Sequence, residues 1–161
     1  MVGRGQRANA ITPEELSHLL KGPASLASGT IQWTIGERRR VEGIELVATG
    51  SVKVQGCRLR IQFNFQSPWH VSLTFHGNDV ALRRVCVNGH DRKVPGRVHM
   101  HTYVPVDGNE EAERVPSFPV CPLHATVEDI DYRKMFEAFA VLCNVDVGSI
   151  DWIDPPEEGV S

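Results

Sequence analysis

The hydrophobic pattern changes period along the chain. Near the start, Leu16, Leu19 and Leu20 make one apolar stripe at helical spacing. Ile11-Thr12-Pro13-Glu14-Glu15-Leu16 sets Thr12 at N-cap, Pro13 at N1 and Glu15 at N3, a capping box with proline where its missing N–H costs nothing. Ile11 and Leu16 then stand as a hydrophobic staple, and Gly22-Pro23 ends the helix. From residue 29 onward the period is two. Ile31, Trp33 and Ile35 alternate with polar neighbours, and Ile44, Leu46 and Ala48 alternate with Glu45, Val47 and Thr49. The clearest strand sets Leu59, Ile61, Phe63 and Phe65 against Arg58, Arg60, Gln62, Asn64 and Gln66. Val71, Leu73 and Phe75 follow, then a strand over 80–88 and another from Val98 to Val104. Alternation of this kind marks strands with one buried face.

Hairpin-sized turns separate these runs: Gly36-Glu37, Gln55-Gly56, Ser67-Pro68 and Gly77-Asn78-Asp79. The sheet is therefore expected to be mostly antiparallel, with about six or seven strands. Residues 88–96 read as a polar loop, and the proline-rich, acidic stretch 105–128 as a long surface excursion. Tyr132, Phe136, Phe139, Ala140 and Cys143 share one face of a second helix over about 130–144. The fold class predicted is α+β, with an N-terminal and a C-terminal helix packed on one face of the sheet. Residues 1–10 are expected to be a flexible start, 11–153 a single domain, and 154–161 an acidic flexible tail.

At 161 residues the chain can bury a core without disulfide or metal staples. Its hydrophobic fraction of 41% is that of a globular protein. No apolar run is long enough to span a bilayer, and the basic start lacks the apolar segment of a signal peptide. Cys57, Cys86, Cys121 and Cys143 form no C-x-x-C pair and read as reduced thiols of a cytoplasmic protein. The net charge of −3 hides a division: residues 1–104 hold 14 Lys/Arg against 7 Asp/Glu, and residues 105–161 hold 3 against 13. Either the acidic third neutralises the basic part within the fold, or the basic part meets a phosphate-bearing partner.

Chemistry concentrates in His99-Met100-His101-Thr102-Tyr103. Period two puts His99, His101 and Tyr103 on one face and Met100 on the other, with the imidazoles about 7 Å apart. Two such groups suit acid/base catalysis, a metal site, or simply a half-buried strand. Phosphodiester cleavage without a metal needs a base, an acid and cations for the phosphate. His99 and His101 fit the first two roles, with His90, Arg92 and Tyr103 in support. Arg58, Arg60, Lys93 and the run Arg38-Arg39-Arg40 fit contacts to an RNA backbone, and equally a solvated surface. This chemistry needs no cofactor, and zinc is the one alternative the residues admit. Its ligands would be His99 and His101 with the C-x-x-H pair Cys121 and His124. Cys86 and Cys143 lie among apolar residues, a setting that raises a thiol pKa and disfavours nucleophilic catalysis.

The segment 85–145 resembles a bacterial and phage family of small proteins. The likeness is carried by Arg84-Val85-Cys86-Val87-Asn88-Gly89-His90, His99-Met100-His101-Thr102-Tyr103, Phe136-Glu137-Ala138-Phe139 and Cys143-Asn144-Val145. A looser likeness reaches the TumE-type toxins of toxin–antitoxin systems. The resemblance implies a mobile-element or defence-related role. It maps onto His90, His99 and His101, with Arg84 a weaker match, and it does not include Cys121 and His124. Three functions follow as expectations: a toxin-like or defence-associated protein acting on RNA, a non-catalytic module binding a cognate protein (an antitoxin, an anti-defence protein or a subunit of a larger complex), or a small zinc protein, with a homodimer left open.

Overall fold

The computed structural model describes residues 11–50, 53–89 and 98–158. Its first element is helix α1 (Pro13–Lys21), which starts as the capping motif requires. The Thr12 hydroxyl accepts from the Glu15 N–H at 3.1 Å, and the Glu15 carboxylate accepts from the Thr12 N–H at 2.9 Å. Ile11, Leu16 and Leu19 are all buried.

Nine strands follow: β1 (Ser25–Leu26), β2 (Gln32–Ile35), β3 (Arg40–Leu46), β4 (Arg58–Asn64), β5 (Ser67–Gly77), β6 (Val80–Val87), β7 (Val98–Tyr103), β8 (Glu110–Arg114) and β9 (Val145–Asp146). Strands β2 to β8 form one sheet in which every strand lies beside its sequence neighbours, and all six pairings are antiparallel. Strand β1 pairs in parallel with β9, just after helix α2 (Tyr132–Leu142). The fold is α+β, mostly sheet, with one helix at each end of the chain.

One face of the sheet is apolar. Val41, Leu59, Ile61, Phe63, Val71, Leu73, Phe75, Val85, Val87, Val98 and Met100 share a single core with Met135, Phe136, Phe139 and Ala140 of α2. The Tyr132 ring stacks on Phe63 at 4.4 Å, and its hydroxyl donates to the Pro68 carbonyl at 2.9 Å. Gly43 lies under the Trp33 indole; a Cβ there would sit 2.9 Å from the ring, so glycine is what lets the aromatic cover the strand. The far end of α2 is tied down by Arg83, whose guanidinium donates to the Leu142 carbonyl. A cation at a helix C-terminus is favourable on electrostatic grounds as well.

Two expectations are corrected. Strand β3 faces the other way: Val41, Gly43, Glu45 and Val47 are buried, while Leu46 is 72% exposed. The Glu45 carboxylate accepts from the Gly29 N–H at 3.0 Å, which compensates the buried oxygen, and burial raises its pKa. The excursion over 105–128 contains a strand, β8. All five of its residues are exposed, so nothing in its hydrophobicity marks it. None of the four cysteines is in a disulfide. No helix among the described residues is long and apolar enough to cross a membrane.

Candidate functional site

The second face of the sheet is polar, and register defines its members. On β4, Arg60 pairs with Thr74 of β5; Thr74 pairs with Arg84 of β6; Arg84 pairs with His101 of β7. The next row runs Gln62, Ser72, Cys86, His99 and Arg114. Residues on one row share a face, so Arg58, Arg60, Arg84 and Arg114 look the same way as His99, His101 and Tyr103. Arg40 extends the face through its pairing with Asn64. The acidic residues of β8 are split by the same alternation. Glu111 and Glu113, opposite Thr102 and Met100, turn to the helix side; only Glu110, opposite Tyr103, shares the histidine face.

Arg58 and Arg60 are therefore on the expected face, but three strands from β7. At the usual strand spacing that is about 14 Å. The cations next to the histidines are Arg84, directly opposite His101, and Arg114, directly opposite His99. Arg84 pairs with Glu110 at 3.1 Å and Arg60 with Glu42 at 3.5 Å. The first is exposed and the second partly buried, and neither contributes much to stability. Arg38 and Arg39 stand at the hairpin tip between β2 and β3 with φ of 58° and 62°, and Arg39 meets Glu158 from the C-terminal tail. His90, Arg92 and Lys93 lie outside the described residues.

The histidine pair is more buried than an acid/base pair on a surface would be. His99 is 1% exposed and His101 9%, with ring centroids 5.4 Å apart and planes at 79°. Among the described residues, Nδ1 of His99 is buried without a hydrogen-bond partner. At that exposure His99 cannot reach a ligand resting on the sheet, so direct proton transfer by His99 requires it to be uncovered first. Cys86, opposite His99, comes into the same group. One ligand atom each from Cys86, His99 and His101 lies within 4.8 Å of the other two, and this is the one such trio of possible metal ligands among the described residues. The set expected from sequence, with Cys121 and His124, is not assembled. Asn88 Nδ2 donates to the Cys121 carbonyl at 3.1 Å and also contacts its sulfur, while the His124 ring packs on Trp69 at 4.7 Å. Cys86 was passed over because its neighbours are apolar. The signal that would have found it is the hairpin register, which sets 86 against 99.

His76, opposite Arg58 on β4, reports the potential of this face. Burial, and then the Arg58 and Arg60 guanidiniums, push its pKa down to about 4 from 6.5. The folded state thus takes up this proton later than the unfolded chain does. The contribution is complete above pH 6.5 and is lost as pH falls toward 4. The loss should be about 2 kcal/mol after allowing for solvent screening. Urea midpoints at neutral pH and near pH 4 should fall further apart for the native chain than for His76→Gln. An equal separation in both would show that His76 is not responsible.

Compared with family models, curated proteins and solved structures, the chain matches none.

Proposed function

We propose that the protein binds single-stranded RNA on the polar face of its sheet. The observation that carries this reading is the segregation of charge. In a chain of net charge −3, this one face gathers Arg40, Arg58, Arg60, Arg84 and Arg114 against Glu42 and Glu110. From β3 to β8 the arginines span five strand steps, about 24 Å, enough for several consecutive phosphates. The rows between them carry Gln62 and Ser72, groups that can hydrogen-bond phosphate or ribose hydroxyls. Tyr103 is half-buried at the end of β7 and offers a ring on which a base can stack. The surface pairs Arg60–Glu42 and Arg84–Glu110 are weak enough to be exchanged for phosphate contacts. A sheet face carrying cations and an aromatic suits single strands better than a duplex, whose grooves it cannot enter.

The test is equilibrium binding of a labelled single-stranded RNA. Arg58→Glu/Arg60→Glu should weaken binding by at least about tenfold and flatten its salt dependence, because backbone contacts are released with counterions. Arg133→Glu on α2, where Arg133 pairs with Glu137, should bind as the native chain does. Equal losses in both variants would remove the polar face from the account.

A further inference from the structure

We propose that Cys86, His99 and His101 form a binding site for a divalent transition metal of the zinc type. This stands apart from the RNA reading and survives its failure. Three features support it. The ligands come from two adjacent strands joined in register, Cys86 opposite His99, with His101 two residues on and therefore on the same face. Rigid strands place donors more reproducibly than loops do. Their donor atoms already lie within 4.8 Å of one another. Tetrahedral zinc with one sulfur and two nitrogens holds them about 3.3–3.6 Å apart, so no pair has to close by more than about 1.5 Å, within the reach of χ rotations. Finally, His99 is 1% exposed, and its Nδ1 has no hydrogen-bond partner among the described residues. A buried imidazole nitrogen left unpaired is costly, and ligation of a metal through Nδ1 would relieve that cost.

The donor set selects the metal. One thiolate and two imidazoles suit zinc and its neighbours in the transition series, and are poor for calcium or magnesium, which take oxygen. Cys86 enters as thiolate, so its S–H proton passes to solvent as the sulfur–metal bond forms. Cys86 and His101 make other interactions in the structure, which metal bonds would replace. Three protein ligands leave a fourth position for a water or a ligand, the arrangement of reactive rather than purely structural zinc sites. Gly89 lies against the site: a Cβ there would be 3.2 Å from the Cys86 Cβ and 3.6 Å from Nε2 of His99.

The full chain, stripped with a chelator and kept reduced, is titrated with cobalt(II) as a spectroscopic stand-in and then with zinc. One equivalent of cobalt should produce a sulfur-to-cobalt charge-transfer band together with tetrahedral ligand-field bands, and zinc should abolish both. Cys86→Ser should lose the charge-transfer band, whereas Cys121→Ser keeps it. Cys86→Asp should bind zinc through a carboxylate with no sulfur band, which separates lost ligation from lost folding. His99→Asn and His101→Asn should each weaken zinc binding by at least about tenfold. No charge-transfer band in the native chain, or a band that persists in a folded Cys86→Ser protein, overturns the proposal.

Discussion

Phe136→Ala should destabilise the protein by about 3–5 kcal/mol, the range for emptying a fully buried aromatic site. Phe136 is 0% exposed at the centre of α2. Its ring sits 5.5 Å from Trp152, and Trp152 is 5.8 Å from Trp33, which covers Gly43. The side chain therefore joins the helix, the C-terminal segment and the β2–β3 edge of the sheet. Truncation removes the transfer energy of the ring and leaves a cavity between elements that cannot collapse independently. The measurement is the shift in urea midpoint, with an unchanged slope showing that the unfolded state is not altered. A loss under 1 kcal/mol would mean that α2 is not the principal cover of the sheet.

Asn144→Ala should cost about 2–4 kcal/mol, from two separable causes. Asn144 follows α2 with φ of 58°, a left-handed conformation that penalises most side chains by about 1 kcal/mol. Its Nδ2 donates to the carbonyls of Leu19 at 3.0 Å and Gly22 at 2.9 Å, so it supplies partners at the C-terminal end of α1, where carbonyls lack them. Its own carbonyl accepts from the Ser25 N–H at 3.0 Å, beside the short parallel pairing of Ser25 with Val145. One residue thus clamps the two helices at their ends. Asn144→Gly keeps the backbone conformation and loses the clamp, so it should lie between the native chain and Asn144→Ala in stability. Amide exchange in α1 should accelerate in both variants. If the glycine variant matches the native chain, the side-chain bonds contribute nothing and only the conformation matters.

The clamp also gives a physical reading of part of the sequence pattern. Cys143-Asn144-Val145 at the end of α2 is structural: a fully buried thiol, a clamp and a strand residue. Burial pushes the Cys143 pKa far above the thiol range, which fits its expected inertness. Asn88 is a parallel case: φ is 58°, and Nδ2 reaches the Trp69 carbonyl at 2.9 Å and the Cys121 carbonyl at 3.1 Å. The C-x-x-H pair therefore serves packing of the segment that carries it.

The fold was legible wherever local signals agreed with tertiary demands. Thr12, Pro13 and Glu15 spelled out a helix start that the structure reproduces. Leu59, Ile61 and Phe63 marked the buried face of β4, and Phe136, Phe139 and Ala140 that of α2. The β3 strand was misread because its buried set, Val41, Gly43, Glu45 and Val47, is less hydrophobic than Ile44 and Leu46 on the other side. Register is decided by pairing with β4, and a shift of one residue exchanges the faces. Glu45 is tolerated inside because the Gly29 N–H meets it, a partner 16 residues away that no local pattern shows. Strand β8 was invisible for a related reason. An edge strand with Glu110, Glu111 and Glu113 carries no apolar alternation, and charge on an edge is how sheets discourage further pairing. At the site, period two correctly joined His99, His101 and Tyr103. Their neighbours across the sheet, Cys86, Arg84 and Arg114, depended on register between strands.

The most direct test of the polar face as the contact surface is to follow the arginine Nε signals by NMR while single-stranded RNA is added. Arg58, Arg60, Arg84 and Arg114 should shift together and saturate at one stoichiometry, while Arg133 on α2 stays in place. Shifts at Arg133 without shifts on the sheet, or no shift at any of the four, would contradict the account.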